Sequence, residues 1–377
     1  MDMLNTNLTG RRKQTRSAVF QYLYYAGSPR SKLDISKELN ISLPTVYQNV
    51  DELLEAGYIE YCGPQRSSGG RPAMQLRTVD SAGYAIGIFI TPRNIQFSAT
   101  DLSRSEIAYR RVAHPYELTS PESNEFIRSE LESYIDGNRI PRERLLGVGI
   151  VLPGVIDAEE TTLLYAPTLG IRNRDLSSLR KIVPYPTHVE NDATSGGFAE
   201  WYNSRERNSI AYLSLAEGVG GTILVNGALH AGNVNRSGEF GHMCVEWNGR
   251  PCSCGKRGCL EAYCSSGRIK DDLGMDAEEF FLRLGEGGAG VLSVWEDYKR
   301  YLVMGIHNIH MTLDCDVVLG GFLAEYLGPY LDELRGMLAD MEPFETSSSF
   351  LRIDSHPRFD SVIGAAFYFI RDFLDSI

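Results

Sequence analysis

The chain has 377 residues, 43% hydrophobic and 23% charged, which is enough for two or three domains and in the proportions of a water-soluble globular protein. No apolar run reaches the roughly 18 to 20 residues that span a bilayer, and the polar, then basic start MDMLNTNLTGRRKQTR lacks a signal-peptide core. These features argue against a membrane role and for a cytoplasmic location. The net charge of −12 opposes nucleic-acid binding only until it is divided: residues 1–80 hold ten Lys+Arg against eight Asp+Glu, the remainder 27 against 41.

TRSAVFQYLYYA (15–26) reads as a first helix, stopped by Gly27-Ser28-Pro29. SKLDISKELN (31–40) reads as a second, with Leu33, Ile35 and Leu39 as its apolar contacts. A third starts near Pro44, a residue suited to a first helical turn. There Val46, Val50, Leu53 and Leu54 form one buried stripe, and Gly57 closes the helix. Thr45 and Gln48 fall opposite the stripe and Tyr47 and Asn49 on its flanks, so these four, with Ser42 just ahead, are the candidates to meet base edges. Two strands follow, YIEYCG and AMQLRTV, joined by the basic, glycine-rich PQRSSGGRP. Such a tip is what a wing on the DNA backbone or minor groove requires, and Arg66 and Arg71 are its candidate contacts. Residues 1–80 are therefore expected to be a winged helix-turn-helix DNA-binding domain.

The strongest chemical signal is Gly238-Glu239-Phe240-Gly241-His242 followed by Cys252-Ser253-Cys254-Gly255-Lys256-Arg257-Gly258-Cys259-Leu260-Glu261. His242, Cys252, Cys254 and Cys259 make a Cys₃His set, the ligand number of a closed tetrahedral zinc site, so one structural Zn²⁺ per chain is expected. With no coordination position open, the metal would organise the loop and activate no water. Cys244 and Cys264 lie outside the spacing, and His230, His307 and His310 read as structural.

This E-x-G-H…C-x-C-G-x-x-G-C-x-E pattern is similar to the zinc signature of the ROK family (repressors, open reading frames and sugar kinases). Gly149–Asp157 resembles the family's G-x-P-G segment, Glu190-Asn191-Asp192-Ala193 its E-N-D-A motif, and Val317–Gly321 its late strand and glycine turn. Gly70-Arg71-Pro72, ending the winged helix, resembles the regulator branch, of the xylose- and N-acetylglucosamine-repressor type. The resemblance implies an α/β fold in which a two-lobed actin-like, sugar-kinase-like domain (81–377) follows the winged helix. The small lobe is expected over about 81–190 plus a C-terminal helix and the large lobe over about 191–360. It also implies that Asn191, Asp192, Glu239, His242 and Glu261 bind sugar hydroxyls, which suits an amide and carboxylates facing groups that both donate and accept. His242 would hold zinc through one ring nitrogen and the sugar through the other.

Phosphoryl transfer needs more. Where family kinases carry D-x-G-G-T-K, this chain has Phe89-Ile90-Thr91-Pro92-Arg93-Asn94. Phenylalanine holds no magnesium, and proline offers a phosphate no N–H. Where they carry G-T-G-I-G, it has Ala216-Glu217-Gly218-Val219-Gly220, with Glu217 repelling a polyphosphate. Asp192 is then a vestigial base, and no enzymatic activity is expected. The reading is a sugar-responsive regulator, a repressor of carbohydrate-utilisation genes, acting on double-stranded operator DNA as a homodimer or homotetramer. The alternatives are an ATP-dependent sugar kinase with an accessory DNA-binding domain, or a sensor of a protein partner. Thr168 stands where the related kinases have an asparagine, which argues against a glucose-like specificity, and the five polar residues suit many pyranoses.

Overall fold

The structure is a computed structural model that describes residues 10–64, 73–115, 117–118, 120–166, 169–204, 208–341, 343–344 and 348–377. Its first unit, the head, contains α1 (Gly10–Tyr25), β1 (Arg30–Ser31), α2 (Lys32–Glu38), α3 (Leu43–Glu55), β2 (Ile59–Pro64) and β3 (Met74–Thr78). The strands pair antiparallel in the order β1-β3-β2, a winged helix-turn-helix. A capping box between Ser31 and Asp34 starts α2, and Ser42 caps α3 by accepting from the Thr45 amide. Val46, Val50 and Leu53 are buried as expected, and so is Ile35. Leu33, expected beside Ile35, is instead 47% exposed, because two residues along a helix turn the side chain by roughly 200°.

The first lobe runs through β4 (Tyr84–Ile90), β5 (Asn94–Asp101), β6 (Glu106–Ala113), α4 (Pro121–Gly137), β7 (Leu145–Leu152), a small hairpin sheet of β8 (Val155–Ile156), β9 (Thr162–Ala166) and β10 (Ile171–Asp175), then α5 (Ser177–Ile182) and β11 (Thr187–Asn191). Its sheet has the order β11-β7-β4-β5-β6, parallel on one side of β4 and antiparallel on the other. Helix α6 (Asp192–Asn203) then leads into the second lobe. There β12 (Ile210–Leu215), β13 (Val219–Val225) and β14 (Ala228–Leu229) precede α7 (Glu261–Cys264), α8 (Ser266–Leu273), α9 (Ala277–Gly285), α10 (Ala289–Leu313), β15 (Asp316–Gly320), α11 (Leu331–Ala339) and β16 (Leu351–Ile353).

The second sheet, β14-β13-β12-β15-β16, repeats the first in order and direction. The repeat is what defines an actin-like pair of lobes, and it leaves a cleft between them. Central strands β7 and β12 are buried along their whole length, as parallel strands covered on both faces must be.

The last helix, α12 (Pro357–Ser376), returns to the first lobe and packs across β4, β7 and α6. Glycines make this approach possible. A Cβ on Gly87 would come within 2.0 Å of the Val362 carbonyl oxygen, and one on Gly149 within 2.5 Å of Ala365.

Candidate ligand cleft, metal centre and nucleic-acid interface

All five residues expected to face a sugar line one cleft between the lobes. Asn191 closes β11 and caps α6, so Asp192 stands at the carboxyl end of the sheet, where open α/β folds place their ligands. The Asn191 side chain is already engaged: Oδ1 accepts from the Ala193 and Thr194 amides at 2.9 and 3.1 Å, and Nδ2 donates to the Gly154 carbonyl at 2.8 Å and to Asp192. It holds Asp192 in place more than it offers itself to a ligand. The cleft walls desolvate Asp192 and push its carboxyl up to about 6. Burial raises Glu239 as well, against the opposing pull of His242.

Glu261 joins the cleft to the cysteine loop. One carboxylate oxygen accepts from the Val219 amide at 3.1 Å and the other from Ser253 Oγ at 2.6 Å. Sequence reasoning did not find Tyr165, whose ring lines the cleft from the β9–β10 hairpin beneath the Arg172 guanidinium at 4.3 Å. Thr168 lies outside the described residues.

The four ligand atoms of His242, Cys252, Cys254 and Cys259 all lie within 4.8 Å of one another. Cys254 and Cys259 sulfurs are 3.8 Å apart, and His242 Nδ1 is 3.8 Å from the Cys252 sulfur. A tetrahedron with metal–sulfur bonds of about 2.3 Å has edges of about 3.8 Å, so the residues present fit zinc. Nδ1 faces the sulfurs, which leaves Nε2 as the nitrogen for the cleft, since His242 also lines it. Gly258 holds the loop's turn at φ +78, where a Cβ would also meet the Glu246 carbonyl oxygen at 1.7 Å. His310 Nδ1 donates to the Cys315 carbonyl at 3.0 Å and the ring stacks on Phe350, a packing role.

On the head, Ser42, Tyr47 and Gln48 are exposed and Thr45 half-buried along α3. Asn49 is a correction. It is buried, 2% exposed, and donates to the Thr45 carbonyl at 2.8 Å. Lying three residues after Val46 and four before Leu53, it falls on the core stripe. Arg66 and Arg71 lie outside the described residues. The structure adds Lys32, whose ammonium sits 4.1 Å from the Tyr47 ring and pairs with Asp51 at 3.4 Å. Glu52 pairs with Arg12 and Arg16. The acidic third turn of α3 is thus paired within the head.

Residues 85–372 match the ROK family, and residues 20–60 match a winged helix-turn-helix DNA-binding family. The chain belongs to the ROK family. It is 30% identical over 302 residues to the xylose repressor of Bacillus spizizenii, covering 78% of each chain. It is 27% identical over 261 residues to the transcriptional dual regulator NagC of Escherichia coli, covering 68% of this chain and 64% of that one. In fold it is similar to the crystal structure of a ROK transcriptional regulator homologous to E. coli MLC (TM-score 0.77, 19% identity, 97% of both chains). A ROK glucokinase from Streptomyces griseus in complex with glucose and AMPPNP matches 76% of this chain and 99% of its own (TM-score 0.65, 21% identity).

In this ROK chain the head and the kinase-like lobes share one apolar interior. Val19, Phe20, Val46 and Leu53 of the head join Phe198 and Tyr202 of α6 and Phe367, Phe373 and Leu374 of α12 in one cluster. Phe373 meets Phe20 and Tyr58 edge-on. Ser17 Oγ donates to the Ile377 carbonyl at 2.7 Å, and Gln21 Nε2 to that of Leu374 at 3.1 Å. Helix α6 begins at Asp192 in the cleft, packs on α12, and α12 packs on α1.

Proposed function

We propose that this protein is a sugar-responsive transcriptional repressor of carbohydrate-utilisation genes. It acts in the cytoplasm as a homodimer or homotetramer, with the winged helix-turn-helix of residues 1–80 on a two-half-site operator. In residues 81–377 a monosaccharide binds Asp192, Glu239, His242 and Glu261, with Asn191 positioning Asp192. Zinc on His242, Cys252, Cys254 and Cys259 fixes the far wall of that cleft.

The observation that carries this reading is the unbroken packing from Asp192 through α6 and α12 to the head. A ligand that favours one lobe arrangement would bias the orientation of α3, provided its affinity differs between the two arrangements. The names of the relatives, xylose repressor and N-acetylglucosamine repressor among them, agree with it.

No kinase chemistry is part of the proposal. At the β4–β5 turn the Thr91 amide donates to the Asn94 carbonyl at 2.9 Å, while Thr91 Oγ accepts from the Asn94 amide at 3.1 Å, so the hairpin spends its own donors. In the second glycine segment the Val219 amide is held by Glu261 and the Ala216 amide by the Gly218 carbonyl. A phosphate would find few free N–H groups at either turn.

The test is a thermal-shift screen of monosaccharides and their phosphates, since a ligand that binds only the folded state raises its melting temperature. Each hit is then titrated against the protein on fluorescent operator DNA. A shift of at least fivefold in DNA affinity is expected. No shift with any bound sugar overturns the coupling, and steady ADP release with sugar and ATP overturns the non-catalytic reading.

A further inference from the structure

Away from the cleft, three carboxylates converge where α6, the end of β16 and the first turn of α12 meet. Glu200, Asp354 and Asp360 are 6, 3 and 1% exposed, and each presents an oxygen within 4.8 Å of the other two. Glu200 is ion-paired with Arg352, whose Nε also lies 3.7 Å from Asp316. Asp354 accepts from Tyr212 Oη at 2.8 Å and from the His356 amide at 2.7 Å. Asp360 is different: neither of its oxygens receives a donor, and the hydrogen bond it can share with Asp354 requires a proton held between the two carboxyls.

A buried carboxylate with no donor is costly, since it has lost water and gained nothing in exchange. One guanidinium does not balance three carboxylates, and Arg352 is shared with Asp316. Whatever balances the group has to be positive and has to reach Asp360: a proton shared with Asp354, or a cation. Oxygen-only ligands drawn from rigid elements suit a hard divalent cation, which would keep water on its remaining positions. A solvent-connected cavity borders the group through Arg352, Asp354 and His356, giving such an ion a way in and room for its waters.

We propose that Glu200, Asp354 and Asp360 form a second metal site, specific for a hard divalent cation of the Mg²⁺, Mn²⁺ or Ca²⁺ class and separate from the cysteine cluster. Its consequence is mechanical. The cation ties α6, β16 and α12 together at one point, and so stiffens the two helices that run from the cleft to the head. The binding claim stands without the sugar reading, because none of its ligands lies in the cleft.

The experiment titrates Mn²⁺ into zinc-loaded, full-length protein at pH 7.5 and follows the free-ion signal by electron paramagnetic resonance. About one Mn²⁺ per chain is expected, displaced by excess Mg²⁺ or Ca²⁺, with zinc content unchanged. D360N and E200Q are each expected to weaken uptake at least tenfold. Wild-type protein that takes up no Mn²⁺ at millimolar concentration overturns the site whatever the variants do. Uptake undiminished in both variants overturns it as well, by placing the ion elsewhere. A D360N protein that melts higher than wild type, with no Mn²⁺ bound by either, shows that a shared proton and not a metal balances the carboxylates, and also overturns it.

Discussion

A Cβ on Gly364 of α12 would lie 1.8 Å from the carbonyl oxygen of Ser195 on α6. One residue further on, the Ala365 amide donates to Ser195 Oγ at 3.0 Å. The two helices therefore touch backbone to backbone, three residues beyond the cleft carboxylate Asp192 that opens α6. G364A cannot be absorbed by a rotamer change and should destabilise the protein by at least about 2 kcal/mol, the cost of overpacking a rigid contact. Urea denaturation measures this, and a loss below about 0.5 kcal/mol would show that the helices separate easily.

His188 on β11 makes stability depend on pH. Burial opposes its charge, but Glu160, 2.9 Å from Nδ1, and the Glu190 carboxylate beyond outweigh that and raise the ring to about 9. A histidine raised above its unfolded value near 6.5 contributes its full stabilisation below that value and loses it as pH climbs through about 9. The wild-type melting temperature should therefore fall across this window. In H188Q the fall should be much smaller, with lower stability at pH 6.

Sugar binding should depend on pH through Asp192. With its carboxyl raised to about 6, the fully accepting carboxylate is present only above that pH. Sugar affinity is expected to rise between pH 5 and 7 and then level. D192N should bind at least tenfold more weakly with a flat profile, and an unchanged profile would assign the titration to another group.

C254S removes one of the three thiolates, and so one of the four ligands. Zinc content by atomic absorption should fall from about one equivalent to well below it, and with it the sugar-induced thermal shift, because Glu261 lies two residues beyond Cys259 and carries the loop's position to Val219. Full zinc content in C254S would mean that the cysteines are not acting as a set.

Gln48 and Asn49 should separate binding from folding. Q48A, at an exposed position, is expected to weaken operator binding by about 1–3 kcal/mol in fluorescence anisotropy with no change in melting temperature. N49A, at a buried one, should lower stability instead.

The motifs that could be read in the sequence are those in which residue type and spacing are the chemistry. A Cys₃His set needs its ligands within one short loop, and the structure brings His242, Cys252, Cys254 and Cys259 together. The third helix was readable because Pro44 marks its start and Val46, Val50 and Leu53 its stripe. Asn49 was misplaced because a polar residue type was weighed above its position on that stripe. The Glu200–Asp354–Asp360 group was invisible for a different reason: it is made by elements far apart in the chain. Only the fold brings Asp354 and Asp360 to a helix 150 residues earlier.

The interior shared by the head, α6 and α12 also bears on how the protein would meet DNA. Two heads tethered by slack linkers would search a broad volume and accept half-sites at many separations, at the cost of a low effective concentration for the second contact. Here Phe20 and Tyr58 are packed on Phe373, and no such slack exists at that contact. In the proposed homodimer, the distance between the two recognition helices becomes a property of how whole copies assemble. Genomic sites would then be sorted by the spacing of their halves as strictly as by their bases.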